Sequence, residues 1–352
     1  MLGLKMKIDI FYRINEIRNK LSDDISKVIF EARLSYLFEG DRDNFIEKIE
    51  PYIDNMYCGE ISQNIARTKT KGIIIYGCGY EGLYDKKVVE LCGYKVSFFC
   101  DSYNYGIEKN GVKVISPDEV AEKYKDYLVI IGSPKYVIDM RNTLIDKGFP
   151  ADNIVYPAEG TLLANGLNQY FEVLEPSINE IFVDAGAYDG YTSVGFKNWA
   201  KKGYDSIKIF EPMREQCKKI ERLCEEEKMH NVDIYANAVW NKKESLKFSY
   251  NGTASRINPR DGEMVECIDI DSVIDNVTFI KMDVEGAEYK ALEGAEKVIK
   301  ECKPKLAISV YHKPVDIVEI PLLIMDMVPE YKFWLRHYST NVYETVLYAV
   351  CE

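Results

Sequence analysis

The chain has 352 residues, an apolar share of 47% and a formal net charge of −12. That is enough apolar sequence for a real core and enough length for two domains. The acidic balance, with no run of Lys/Arg and aromatics, argues against a nucleic-acid partner. The nine cysteines show no CxxC spacing. Neither a secretory signal nor a long apolar span is read in the sequence, so reduced thiols in a cytoplasmic protein are expected.

Residues 1–70 read as a helical region. "IDIFYRINEIRNKL" and "DDISKVIFEARLSYLF" repeat apolar residues three and four apart, the helix period, with no strand signal. A helical cap or a homo-oligomer surface is the expected use.

Residues 71–157 read as a Rossmann-like domain. The apolar strand Ile73 to Tyr76 runs into Gly77-x-Gly79-x-x-Gly82, and "YKVSFFCDS" ends on Asp101. Glycines let the backbone turn tightly and approach a phosphate, and an acid at the next strand end suits ribose hydroxyls. Gly77, Gly79, Gly82 and Asp101 are therefore candidates for a nucleotide or a nucleotide-linked sugar. A purely structural use of the turn is the alternative. "DYLVIIGSP" supplies a third strand. Residues 158–176 read as a linker.

Residues 177–352 read as a second α/β domain. Its strands are Ile181 to Val183, "SIKIF", "VDIYANAV", "VTFIKM", "PKLAISV", "YKFWLRH" and "ETVLYAV". "ESLKFSYNGTASRI" reads as an extra edge hairpin or loop. The last two strands are separated by a short loop, so a mostly parallel sheet with one antiparallel strand is expected.

Ligands of open parallel sheets bind outside the carboxyl ends of the strands. There the sequence places Asp184, Gly186, Tyr188 and Asp189, then Glu211, then Asn237 and Ala238, then Asp283 and Glu285, then Tyr311 and His312, and finally Arg336 and His337. Unpaired burial of so many polar groups is costly, so a polar ligand is expected. Glu211 is the candidate for the ribose hydroxyls of an adenosine group. Asp189 would repel a pyrophosphate yet suits a cationic amine or sulfonium, which favours S-adenosylmethionine over NAD. Capping of the next helix is the other use of Asp189.

The runs "FVDAGAYDGYTS", "IFEP", "GTASRI", "FIKMDVEGAEYKALEGA" and "ETVLYAV" resemble FkbM-type methyltransferases over residues 177–351. The most specific part is K-x-D-x-E-G-x-E, here Lys281, Asp283, Glu285, Gly286 and Glu288. The resemblance implies a class I, Rossmann-like methyltransferase fold, S-adenosylmethionine as cofactor, and O-methylation of a sugar, glycan or natural product. Tyr188-Asp189 departs from the commoner form of the first-strand loop. Residues 71–157 resemble the nucleotide-sugar-binding N-terminal domains of some sugar acyltransferases. A nucleotide-sugar oxidoreductase and a non-catalytic protein with two binding modules are the alternatives.

Within this reading the donor contacts are Asp184, Gly186, Tyr188, Asp189, Glu211, Asn237, Ala238 and Asp283. His312 is expected to be the general base with Asp283 beside it. Glu285, Arg256 and His337 are the acceptor-binding candidates. Because alternate residues of an extended strand face opposite ways, Asp283 is assigned to the site and Glu285 to the turn, where it would accept N–H groups at the start of the next helix. No metal is expected, since the Lys281 cation lies two residues before Asp283.

Overall fold

The computed structural model describes residues 2–53, 65, 68–133, 136–155, 169–249, 256–257, 262–339 and 342–351. The chain divides into two compact units, residues 1–49 with 166–352, and residues 50–165.

The chain begins with α1 (Leu2–Lys20), α2 (Asp24–Glu39) and α3 (Arg42–Ile53). Asp23 caps α2 by accepting the Ser26 amide, and Gly40 ends it in the left-handed conformation.

In the 50–165 unit, β1 (Ile73–Tyr76), α4 (Tyr80–Leu91), β2 (Val96–Cys100), β3 (Glu108–Lys109), β4 (Val112–Ile115), α5 (Pro117–Lys123), β5 (Leu128–Ile131), α6 (Val137–Asp146) and β6 (Ile154–Val155) follow in order. The sheet order is β3-β4-β2-β1-β5-β6. All pairs are parallel except β3 with β4. β1 and β5 are apolar and wholly buried, as strands covered on both faces must be. Because β2 and β5 flank β1 on opposite sides, the Gly77 turn stands at the point where the winding reverses.

The other unit continues with β7 (Glu180–Ala185), α7 (Tyr191–Trp199), β8 (Tyr204–Phe210), α8 (Arg214–Glu226), β9 (Val232–Tyr235), β10 (Ala238–Val239), β11 (Glu244–Ser249), β12 (Arg256–Ile257) and β13 (Glu263–Ile268). It closes with β14 (Phe279–Met282), α9 (Glu288–Glu293), α10 (Glu296–Cys302), β15 (Lys305–Ser309), α11 (Asp316–Met327), β16 (Lys332–His337) and β17 (Thr345–Val350). The seven-stranded sheet has the order β16-β17-β15-β14-β7-β8-β9. Only β17 runs antiparallel to its neighbours, as the sequence led us to expect. The fold is thus the α/β, mostly parallel arrangement of class I methyltransferases. Phe182 and Phe196 stack at 4.2 Å, with Phe171, Trp199 and Phe279 packed around them.

Two features were not legible in the sequence. The third strand of the large sheet ends at Tyr235. Ala238–Val239 instead joins a small sheet of order β10-β13-β11-β12, in which β13 had no expectation. The start of the chain also seals the edge strand β16. The Ser22 amide donates to the Phe333 carbonyl at 2.9 Å, the Leu335 amide donates to Ser26 Oγ, and Arg336 pairs with Asp23 at 2.7 Å. An edge covered in this way offers no strand to an outside partner.

Candidate functional site

β7 and β14 lie side by side, and the turns that follow them touch. Gly186 has φ +76°, and a Cβ there would stand 1.9 Å from the Asp283 carbonyl oxygen. Only glycine lets the two strand ends close together. Gly190 (φ +85°) and Tyr188 (φ +50°) also take left-handed conformations, which folds residues 186–190 into a tight turn.

A buried ion pair braces this turn. Lys281 Nζ lies 2.9 Å from Asp184 Oδ1 and donates to the Gly186 carbonyl at 2.6 Å, while Ser193 Oγ donates to Asp184 Oδ2 at 2.8 Å. Both charged side chains are buried. Asp184 therefore works beneath the turn. The Lys281 cation, expected to bear on Asp283, is committed to Asp184 and the turn.

Glu211, at the end of β8, is buried and accepts the amides of Tyr188 (3.0 Å) and Met213 (2.8 Å). Burial raises its pKa to about 7, against the lowering pull of those two amides. A carboxylate has room for further donors beside these two. Asp189 accepts the Tyr191 amide at 3.1 Å at the head of α7. Asn237 donates to the Glu266 carbonyl, and Ala238 pairs with Cys267. A left-handed glycine turn facing a buried acid at the next strand end fits a ribose-bearing donor. Gly186, Tyr188, Asp189 and Glu211 are the residues that would hold it.

Beside this turn stands a second cluster, around His312. The extended chain of β14 ends at Met282, and Glu285 (φ +56°) and Gly286 (φ +90°) form a turn. Strand alternation therefore does not govern residues 283–286. Asp283 Oδ1 and Glu285 Oε2 both approach His312 Nε2, at 3.5 and 3.4 Å. This corrects the expectation that the two acids face apart. The helix start is also held differently, since Glu288 rather than Glu285 accepts the amides of Val284 and Gly286. Glu288 Oε1 lies 2.9 Å from His312 Nδ1, an ionic contact.

Burial by itself would lower the pKa of His312. The carboxylates of Glu288, Glu285 and Asp283 overcome it and push the value up to about 11. A ring whose protonated form three carboxylates stabilise is a weaker fit to the expected role of general base than one left free. Tyr170, from the expected linker, donates to Asp283 Oδ2 at 2.7 Å. Tyr311 lies 3.5 Å from both oxygens of Asp283. Gln169 donates to Glu344, whose pKa is raised to about 7 by burial and then by Asp283. Glu288 was readable as part of the K-x-D-x-E-G-x-E run, but nothing in the sequence marks Tyr170 or Glu344.

His337 does not join this cluster. It is buried, bonded through Nδ1 to Thr345 Oγ1 at 2.7 Å, and edge-on to Phe45. Arg256 lies in the short strand β12, and its side chain is outside the described residues. In the 50–165 unit, Asp101 accepts the amides of Tyr103 and Asn104 and so closes its own loop. Above Gly79 there is open space, whereas a Cβ at Gly82 would meet the Gly77 carbonyl at 1.9 Å.

Residues 184–338 match the family described as Methyltransferase FkbM domain. This chain carries an FkbM methyltransferase domain. The match agrees with the sheet order, and the protein is an S-adenosylmethionine-dependent methyltransferase. Among solved structures, Methyltransferase FkbM from Methylobacillus flagellatus KT is 20% identical, with 93% of this chain and 99% of that chain covered and a TM-score of 0.46. An rRNA methylase from Streptococcus thermophilus is 13% identical over 53% of this chain and 93% of its own, with a TM-score of 0.35. Aeropyrum pernix fibrillarin, with natively bound S-adenosyl-L-methionine, is 10% identical over 53% and 74%, with a TM-score of 0.35. No curated protein matches the chain. Among the described residues, no helix is long and apolar enough to cross a membrane.

Proposed function

We propose that the FkbM domain methylates a hydroxyl oxygen of a sugar, glycan or related natural product. The observation that carries this reading is the contact between Gly186 and Asp283. It sets the donor turn directly against the Asp283–Glu285–His312 cluster.

S-adenosylmethionine supplies the methyl group. Glu211 would accept its ribose hydroxyls, the 186–190 turn, Asp189 included, would hold the rest, and Asn237 and Ala238 remain the candidates from the third strand end. The acceptor hydroxyl lies at the open side of the cluster, where the Glu285 side chain is 31% exposed. Glu285 takes the hydroxyl proton; its pKa is raised by burial, so it is a stronger base than an ordinary glutamate. His312 holds Asp283 and Glu285 in register. Holding the oxygen close and aimed contributes up to about 7–11 kcal/mol in favourable cases.

In the 50–165 unit, the open face above Gly79 is consistent with a nucleotide-linked sugar, and we keep that ligand class for it. The test is mass spectrometry of products after incubation with S-adenosylmethionine and a panel of glycans and nucleotide sugars. A product heavier by one CH2, the methyl having replaced the hydroxyl proton, whose methyl survives the mild base that cleaves a methyl ester, supports hydroxyl transfer on these acceptors. Donor binding without turnover on any hydroxyl acceptor would defeat the reading.

A further inference from the structure

The structure assigns a divalent-cation site to Asp283, Glu288 and His312, with Glu285 at its open rim. Each of the first three offers a donor atom within 4.8 Å of the others. The separations between charged atoms are informative. His312 Nε2 stands 3.5 Å from Asp283 Oδ1 and 3.4 Å from Glu285 Oε2, long for charge-assisted hydrogen bonds. Two donors on one first-row divalent ion, each about 2.0–2.2 Å from it, stand about 3.0–3.5 Å apart.

A second observation is independent of that spacing. Glu288 is 1% exposed, yet its Oε2 has no hydrogen-bond partner. His312 Nδ1 faces Glu288 Oε1 at 2.9 Å, which leaves Nε2 as the ring nitrogen toward Asp283 and Glu285. A buried carboxylate oxygen with no donor is costly, and a cation satisfies it. The supporting contacts are of the kind metal ligands need. Tyr170 fixes Oδ2 of Asp283 and leaves Oδ1 facing His312, while the amides of Val284 and Gly286 fix Oε1 of Glu288. Local charge points the same way, because Asp316 and Glu344 add two acids to the surroundings. The cations around it have partners of their own: Lys281 pairs with Asp184, Lys313 donates to the Gly286 carbonyl, and the buried Arg33, which faces Glu344 and Asp316, donates to Thr345 Oγ1 and the Val342 carbonyl.

Three carboxylates and one imidazole suit a hard or borderline ion such as Mg²⁺ or Mn²⁺. The bound ion would displace the His312 proton and hold the acceptor oxygen beside Glu285, so the proposal deepens the hydroxyl-transfer reading and rests on it for the ion's use. Binding itself is tested without turnover.

Titrate the full-length protein with Mn²⁺ and follow the loss of the free-ion signal by electron paramagnetic resonance. One ion per chain should bind. Asp283→Asn and Glu288→Gln keep shape and should each weaken binding at least tenfold, with circular dichroism confirming that each variant is folded. No binding at millimolar Mn²⁺, or binding that both variants retain, overturns the site. Mn²⁺ bound as expected with no methyl transfer to any hydroxyl would sink the acceptor reading and leave the site standing.

Discussion

Lys281 Nζ and Asp184 Oδ1 lie 2.9 Å apart, and both side chains are closed off from water, with exposures of 3% and 0%. One member comes from the most specific sequence run of the domain and the other from its first strand. Together they fix the carbonyl of Gly186, and through it the turn that faces the donor.

Removing one member leaves a charge buried and alone. Lys281→Met should therefore cost about 3–5 kcal/mol and weaken donor binding through the loosened turn. Adding Asp184→Asn should recover part of that loss. Thermal or urea unfolding of the two single variants and the double variant checks it; strictly additive losses would mean that the pair is not coupled.

Glu211 gives a pH prediction. Its folded pKa, about 7, is above its usual 4.5 because of burial. Its contribution to stability is therefore complete below about 4.5 and is lost as pH rises through about 7. Donor affinity should move the opposite way, since the ionised carboxylate is the better acceptor for ribose hydroxyls. Calorimetry from pH 6 to 8, a range set about that pKa, should show tighter S-adenosylmethionine binding at the upper end. Glu211→Gln should flatten this dependence and weaken binding more than tenfold, in line with about 1.5–3 kcal/mol for charge-assisted hydrogen bonds.

For the acceptor cluster, Glu285→Gln should lower turnover by roughly 10²–10⁴-fold with donor affinity intact. His312→Ala should also lower turnover, by disordering Asp283 and Glu285. Steady-state rates alongside direct donor titration separate the two quantities. Normal turnover in Glu285→Gln would remove it as the proton acceptor.

The two glycines of the 50–165 unit should part company. Gly82→Ala drives a methyl into the Gly77 carbonyl and should destabilise the protein by about 1–3 kcal/mol or more. Gly79→Ala enters open space and should fold normally. If a nucleotide-linked sugar lies over the turn, Gly79→Val should block it while sparing S-adenosylmethionine binding, as a nucleotide-sugar titration of the full chain would show.

The sequence by itself determined the strands of the large sheet and β1, β2 and β5, their apolar burial and the acids at their ends, though not the small sheet that takes up Ala238–Val239. Those follow from local rules, namely alternation, runs of β-branched residues, and glycine where the backbone must turn. The parallel sheet with one reversed strand followed from the same order of elements, and the glycine turn of residues 186–190 was legible because it lies within one strand–turn–helix unit. Only the tertiary structure decided what the charged groups do. Lys281 finds Asp184 across 97 residues, and Tyr170 reaches Asp283 across 113. The left-handed turn at Glu285 and Gly286 brings together two acids that strand alternation would separate. The surroundings of His312 were hidden for the same reason: the carboxylates of Glu288, Glu285 and Asp283 meet it only once β14 and β15 lie side by side.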